Sequence, residues 1–197
     1  MVRIKIQEEK PERNKKKLIL PIFIAAIMIL SVFGVIIGNF APSEEPSQNI
    51  LEYKGIKFTG TDFGWQAKIN NVDVTISNSP NDLEGINLGI QQDSFKALSK
   101  IYISRDPRKY IKNADLLLQA NLRPIVNVQI ACNVDVEECK DLPLKTCKDG
   151  NTNNAVIVME ESTEDKVNFK DNCLEIKGNS IFISKTVDKL ILYIFGL

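Results

Sequence analysis

The sequence predicts an α+β fold preceded by one transmembrane helix. Three features predict it: an uncharged run of 23 residues at 18–40, apolar residues that alternate after residue 50, and a strand–helix–strand pattern in the middle of the chain. Alternation with period two is typical of half-buried strands, and a strand–helix–strand order favours parallel pairing. We therefore expect a mixed sheet with an antiparallel N-terminal meander, one βαβ crossover and a C-terminal amphipathic helix.

The uncharged run at 18–40 is long enough to cross a bilayer, since about 20 apolar residues span the hydrocarbon core. Lys15, Lys16 and Lys17 precede the run, and no basic residue follows it before Lys54. The positive-inside rule then places the N-terminus in the cytoplasm and the remainder of the chain outside. A cleaved signal peptide is the alternative, although its apolar region is normally shorter.

Composition divides the chain into four segments. Residues 1–17 form a basic cytoplasmic tail of net charge +4, followed by the membrane helix at 18–40. Residues 41–49 are rich in Pro, Ser and Glu, which is typical of a solvated linker. Residues 50–197 are enough for one extracytoplasmic α/β domain with its own core.

The first part of this domain predicts an antiparallel meander of three strands over 50–77, in LEYKGIKFTG, GWQAKI and VDVTIS. Gly55 is expected to make a bulge or bend inside the first strand. Asn70 and Asn71 are expected to form a two-residue turn between the other two, because Asn tolerates positive φ.

The second part alternates strands and helices. SFKALSK predicts a short helix, and KIYISR predicts a strand. A helix follows in which Asp106 is the N-cap and Pro107 the first residue, and it ends before Pro124. Further strands are predicted in PIVNVQIAC, AVIVM, VNFK and CLEIKG, and an amphipathic helix in ISKTVDKLILYIFGL.

The chain has four cysteines, which are Cys132, Cys139, Cys147 and Cys173. An even number in an extracytoplasmic domain favours two disulfides. Four cysteines allow three pairings, of which we favour Cys132–Cys173 with Cys139–Cys147. A zinc site and a redox pair are the alternatives, but zinc sites use closer spacing and no C-x-x-C motif is present.

A metal hypothesis concerns the loop that begins at Asp149. When Asp149 is position 1, Asn151, Asn153 and Glu160 lie at positions 3, 5 and 12, which is the oxygen-ligand spacing of an EF-hand calcium loop. The glycine expected at position 6 is Asn154, and the flanking sequences do not predict helices. A polar hairpin turn explains the same residues.

Composition excludes several classes of function. The chain has no histidine, which excludes Ser-His-Asp and Cys-His catalysis and the His-containing zinc and iron motifs. Residues 41–197 carry net charge −4, so the basic surface expected of a nucleic-acid-binding protein is absent. No catalytic residue is predicted, because the chain has 25 acidic residues and chance pairs of carboxylates are expected.

The C-terminal half carries a further set of motifs. These are Ala131-Cys132, Cys139, Asp141-Leu142-Pro143, Cys147, Asn172-Cys173, Asp188 and Phe195-Gly196. In these motifs the chain resembles a group of small archaeal membrane-anchored proteins of uncharacterised activity. The resemblance implies an N-terminal anchor and an external α/β domain, and it implies no activity. The chain departs from the group at Lys189, where an arginine is expected.

Together these features predict a single-pass membrane-anchored extracytoplasmic interaction or scaffold module. The expected partners are the lipid bilayer and a cell-surface protein or a second copy of the chain. No nucleic acid is expected, and no cofactor other than the calcium ion considered above. Two alternatives remain, which are a hydrolase or transferase that acts on envelope polymers through carboxylates, and a thiol-redox or metal-sensing protein.

Overall fold

The computed structural model of the protein describes residues 21, 23–29, 49–90 and 98–197. The chain divides into two compact units, Met1–Ser47 and Gln48–Leu197. Each unit is described by itself below.

In the first unit, Pro21 and residues 23–29 are helical, and their side chains are exposed. Within the part of the chain that the structure describes, no helix combines the length and apolar character needed to cross a membrane. The tail at 1–17 with its three lysines, most of the predicted span at 18–40 and nearly all of the linker at 41–49 lie outside the described residues.

The second unit is an α+β domain with two sheets. One sheet is antiparallel with the order β1-β2-β3-β4, and the other is mixed with the order β6-β5-β7-β9-β8. The strands are β1 (Ile50–Tyr53), β2 (Ile56–Thr61), β3 (Gly64–Ile69), β4 (Val72–Ile76), β5 (Lys100–Arg105), β6 (Asn127–Cys132), β7 (Asn154–Glu161), β8 (Lys166–Lys170) and β9 (Cys173–Gly178). The helices of this unit are α1 (Ala114–Leu122) and α2 (Ser180–Ile194), with short 3-10 turns at Pro80–Leu83, Glu137–Cys139 and Cys147–Asp149.

The meander has four strands, so the prediction of three strands was wrong. Lys54 and Gly55 have φ of 49° and 79° and form a two-residue turn that splits the first predicted strand into β1 and β2. The predicted turn at Asn70 and Asn71 is confirmed, with φ of 51° and 65°. The meander also forms a sheet of its own, rather than the edge of one mixed sheet.

The parallel pairing of β5 with β6 is confirmed, and α1 connects the two strands. The predicted helix start at Asp106 was wrong. Lys112 and Asn113 have φ of 52° and 58°, and residues of a right-handed helix have negative φ. Asp106 instead closes a turn, in which its Oδ1 accepts a hydrogen bond of 3.0 Å from the Arg108 N–H. The predicted helix SFKALSK begins outside the described residues, and β5 starts at Lys100.

One hydrophobic core joins both sheets and both helices. In the mixed sheet, alternate residues of the central strands face it, as the period of a strand requires. The fully buried members include Phe58, Ile76, Ile101, Ile103, Leu118, Ile157, Leu174, Ile176, Val187 and Ile191. We call this side of the mixed sheet its core face and the opposite side its outer face.

Asn121 of α1 ties that helix to the edge of the meander. Its Oδ1 accepts a hydrogen bond of 2.9 Å from the Thr75 N–H, and its Nδ2 donates to the Thr75 and Leu117 carbonyls at 2.8 Å each. The side chain thereby pairs with the edge strand β4 as another strand would.

Asn121→Ala is expected to lower the free energy of unfolding by about 2–4 kcal/mol, because two backbone groups of Thr75 lose their partners in a buried site. The measurement is urea unfolding at neutral pH. Leu116→Ala, on the same helix at a side chain that is 57% exposed, is the control and should cost much less. Equal losses for the two variants would contradict this role of Asn121.

Asp188 of α2 makes a second link to the meander. It is fully buried, and its Oδ2 accepts hydrogen bonds of 2.7 Å from both the backbone N–H and the Nδ2 of Asn78. Its Oδ1 has no hydrogen-bond partner among the described residues. Burial raises the pKa of this carboxyl to about 6 despite the two hydrogen bonds from Asn78.

Candidate functional site

All four cysteines form disulfides, which confirms the prediction of two disulfides. The favoured pairing was wrong, because Cys132 pairs with Cys139 and Cys147 pairs with Cys173. The 3-10 turn Glu137–Cys139 brings Cys139 back to the end of β6. The turn Cys147–Asp149 lies against β7 and β9, which brings Cys147 to the start of β9.

The Cys147–Cys173 disulfide holds the segment 133–153, which connects β6 to β7, against the outer face of the mixed sheet. Tyr102, Val156, Val158 and Cys173 form a small apolar cluster on this face. The Ser104 hydroxyl donates a hydrogen bond of 2.6 Å to the carbonyl of Lys145, in the middle of the segment. We call residues 133–153 the disulfide segment.

The strand order creates a topological switch point between β5 and β7. From β5 the chain passes through α1, on the core face, to β6. From β6 it passes through the disulfide segment, on the outer face, to β7 on the other side of β5. Where the order of parallel strands reverses, as it does between β5 and β7, a crevice opens at their carboxyl ends, and ligands of open α/β sheets bind there.

One cavity lies at this edge, and a second lies beside it, between the disulfide segment and the outer face of the sheet. One has a volume of about 130 Å³ and is lined by Asp106, Lys109, Asn133, Val134, Met159, Glu160 and Glu161. The other has a volume of about 330 Å³ and is lined by Asn133, Thr146, Cys147, Lys148, Val158, Glu160 and Glu175. Asn133 and Glu160 line both cavities, and we call the two together the carboxyl-edge crevice.

Asp106 is fixed at the mouth of the crevice by Arg108. Its Oδ1 accepts a hydrogen bond of 3.0 Å from Arg108 Nε, and its Oδ2 accepts one of 2.8 Å from Arg108 Nη2. The hydrogen bonds from Arg108 lower the pKa of Asp106 to about 2. Asp106 is therefore ionised at neutral pH and lacks the raised pKa that a general acid needs.

Cationic side chains pair with the carboxylates that line the crevice. Lys177 Nζ lies 3.0 Å from Glu160 Oε2 and 3.2 Å from Glu175 Oε1, and these two carboxylates raise the pKa of Lys177. Lys109 Nζ lies 3.8 Å from Glu161 Oε2. The crevice can therefore offer both anionic and cationic groups to a polar ligand.

Asn133 carries the most unusual polar group of the crevice. It follows β6 directly, and its backbone N–H donates a hydrogen bond of 3.3 Å to the carbonyl of Arg105 at the end of β5. Its side-chain Oδ1 is buried and has no hydrogen-bond partner among the described residues. Buried acceptors are rarely left without a donor, so this atom is available to a donor from a ligand or from water.

The four residues of the calcium hypothesis are not brought together in one loop. The Asp149 carboxylate accepts hydrogen bonds from the Thr146 N–H at 2.9 Å and from Lys145 Nζ at 3.1 Å. Asn151 and Asn153 form a turn before β7, with the Asn151 Oδ1 3.0 Å from the Asn153 nitrogen.

Glu160 lies near the other end of β7. It is six residues from the first residue of that strand, which is about 20 Å at the rise of an extended chain. Across residues 21, 23–29, 49–90 and 98–197, no cluster of three or more acidic or cysteine side chains has the geometry of a metal site.

Sequence reasoning did not single out Asn133 or Lys109 as site residues, and it assigned Asp106 only a capping role. The available signal was position, because Asp106, Asn133 and Glu160 directly follow three of the predicted strands. That signal becomes informative only when the order of the strands is known.

Comparison with protein-family models, with curated proteins and with solved structures gave no match for this chain. The class of protein must therefore be inferred from the domain itself. Its defining features are a disulfide-stabilised α+β domain and a crevice at the carboxyl edge of a mixed sheet.

Proposed function

We propose that this chain is a single-pass membrane-anchored extracytoplasmic module that binds a partner through the carboxyl-edge crevice. The observation that carries the proposal is the pairing of all four cysteines in two disulfides. Disulfides persist in oxidising compartments, and the uncharged run at 18–40 with its preceding lysines supplies an anchor of the matching orientation.

The crevice favours binding over acid–base catalysis. Asp106 is held as an anion by Arg108, and Lys177 lies within 3.2 Å of two carboxylates. Such fixed ion pairs provide a pattern of charge for recognition, whereas a glycosidase needs one carboxyl whose pKa is raised. The expected partner is a cell-surface protein or a second copy of the chain that presents polar groups to Asn133.

Thiol alkylation tests whether the domain lies in an oxidising compartment. Native protein extracted from membranes in the presence of an alkylating reagent should carry no label without reduction and four labels after reduction, as read from its intact mass. Two or four labels before reduction would contradict the proposal and would favour a thiol-redox or metal-sensing protein.

Orientation is tested with two single-cysteine additions. Ser47→Cys, in the linker, should react with a membrane-impermeant maleimide in intact cells, whereas Asn14→Cys, in the basic tail, should react only after lysis. The opposite pattern would place the domain in the cytoplasm. Labelling of neither residue before lysis would also overturn the proposed topology.

The role of the crevice is tested by photo-crosslinking in cells. A photoreactive amino acid at Lys109, which lines the crevice, should give a light-dependent adduct that Asn133→Ala weakens. The control position is Lys68, which is exposed on the meander. Equal adducts at the two positions, or an adduct that ignores Asn133, would show that the crevice is not the binding site.

A further inference from the structure

We propose that the end of the four-stranded sheet next to the linker rests on the lipid bilayer, with Phe63 as its main apolar contact. The proposal rests on the proposed function, because it takes the anchor at 18–40 as given. Two large apolar side chains are exposed at this end of the sheet. Phe63 is 83% exposed and Ile50 is 64% exposed.

Strand pairing places these two side chains at the same end of the meander. Ile50 is the first residue of β1 and lies opposite Thr59 of β2. The chain then turns from β2 into β3, where Thr61 lies opposite Gly64 and Phe63 occupies the turn. Because β1 and β2 are antiparallel, the start of β1 and the turn after β2 lie side by side.

The turns at the two ends of the meander differ in polarity. At the end far from the linker, the turns consist of Lys54-Gly55 and Asn70-Asn71, which are typical of solvated turns. At the end next to the linker, the turn presents Phe63 to the outside. A phenylalanine ring at the tip of an exposed turn fits an apolar environment, and Phe is among the side chains that interfacial segments bury at the boundary of headgroups and acyl chains.

The conformation of the Phe63 turn is fixed by local contacts. The Thr61 Oγ1 accepts a hydrogen bond of 3.3 Å from the Phe63 N–H and donates one of 2.9 Å to the Gly64 carbonyl. Gly64 has φ of 121°, and a Cβ there would overlap the carbonyl oxygen of Ile76. Asp62 is the exposed charged neighbour in this turn, which favours a zwitterionic over an anionic lipid surface.

The length of the linker sets an upper limit to the distance between this end of the sheet and residue 40. The Gly60 N–H donates a hydrogen bond of 2.7 Å to the Asn49 carbonyl, which fixes where the chain enters the sheet. The nine residues 41–49 can extend to about 30 Å at most. The bilayer is therefore the apolar surface that is always within reach of Phe63, whereas a second copy of the chain would have to be recruited.

Fluorescence quenching of the full chain in vesicles tests the contact. Trp65 is the only tryptophan of the sequence. In a Trp65→Phe background, Phe63→Trp is compared with Tyr110→Trp. Tyr110 is the control because it is 67% exposed and lies in the connection between β5 and α1. The vesicles contain phosphatidylcholine with brominated or ordinary acyl chains.

The expected result is a blue-shifted emission of Phe63→Trp that brominated lipid quenches and that aqueous acrylamide quenches less than in Tyr110→Trp. Equal acrylamide quenching of the two variants without lipid quenching would overturn the proposal. The proposal would also be overturned if Phe63→Trp were protected from acrylamide only at high protein density and were not quenched by brominated lipid. That result would favour contact between copies of the chain.

Two controls keep these outcomes interpretable. If the Trp65→Phe variants do not retain two disulfides, the same substitutions are measured with Trp65 present and the wild-type emission is subtracted. Flotation with the vesicles after carbonate washing tests the anchor separately. A chain that does not float contradicts the proposed function, whereas one that floats without quenching contradicts only the contact of Phe63.

Discussion

Loss of the Cys147–Cys173 disulfide is expected to lower the free energy of unfolding by about 3.5 kcal/mol, and loss of the Cys132–Cys139 disulfide by about 2.4 kcal/mol. The difference follows from loop closure, because the two bridges join residues separated by 26 and 7 positions. In the chain-entropy description, the larger loop removes more conformational freedom from the unfolded chain. Urea unfolding of the two paired Cys→Ala variants provides the measurement.

Each variant has a matched control in the reduced wild-type protein. Under reducing conditions both bridges of the wild-type protein open. Its free energy of unfolding should therefore fall by at least as much as that of the less stable variant. The two variants should differ little from each other in reductant. A larger loss for Cys132→Ala with Cys139→Ala would contradict the loop-length explanation and would indicate that the shorter bridge holds a larger part of the disulfide segment.

The buried carboxyl of Asp188 is expected to make the domain less stable at pH 7 than near pH 5. Its pKa is raised to about 6 in the folded protein, against about 3.9 in an unfolded chain. Between these values the folded state holds the proton more tightly, so the stability gained at low pH is lost as pH rises through 6. The full difference, between pH values well below 4 and well above 6, corresponds to about 3 kcal/mol, and roughly half of it falls between pH 5 and pH 7.

Asp188→Asn should remove most of this pH dependence, because the amide does not ionise and still accepts the hydrogen bonds from Asn78. Lys112 is the charged residue that favours the ionised form of Asp188, and it is unchanged in this variant. Urea unfolding at several pH values between 4 and 8 gives the two profiles. Parallel profiles for the variant and the wild type would show that Asp188 does not control the dependence.

Asp106 provides a control, because its contribution to stability changes with pH in the opposite direction. Its pKa is lowered to about 2, so its interaction with Arg108 contributes stability above pH 4 that is lost as pH falls further. Asp106→Asn should therefore change the acid side of the stability profile and leave the fall between pH 5 and 7 in place. If Asp106→Asn changed the loss of stability between pH 5 and 7, Asp188 would not be the only group that causes this loss.

Local sequence signals predicted the elements whose formation depends on neighbouring residues. Strand β5, the parallel pairing of β5 with β6, the turn at Asn70-Asn71 and the C-terminal helix were all predicted, because alternation, turn residues and helical periodicity are short-range properties. The turn at Lys54-Gly55 was predicted only as a bulge or bend at Gly55 within one strand, because lysine rarely adopts positive φ.

Features that depend on strand order could not be predicted. The disulfide pairing requires β9 to lie beside β7, and the sequence contains no direct signal for that neighbour relation. The crevice depends on the same order, because it brings Asp106, Asn133 and Glu161 to one edge. Residues that lie far apart in the chain thus meet only through tertiary pairing.

Helix α2 has a consequence for biosynthesis. It supplies Ile183, Val187, Leu190 and Ile191 to the core, and it follows every described strand in the chain. During translation, the apolar faces of those strands are therefore covered only in part, by α1, until the C-terminal helix has emerged from the ribosome. Completion of the core is therefore a late event in the synthesis of the domain.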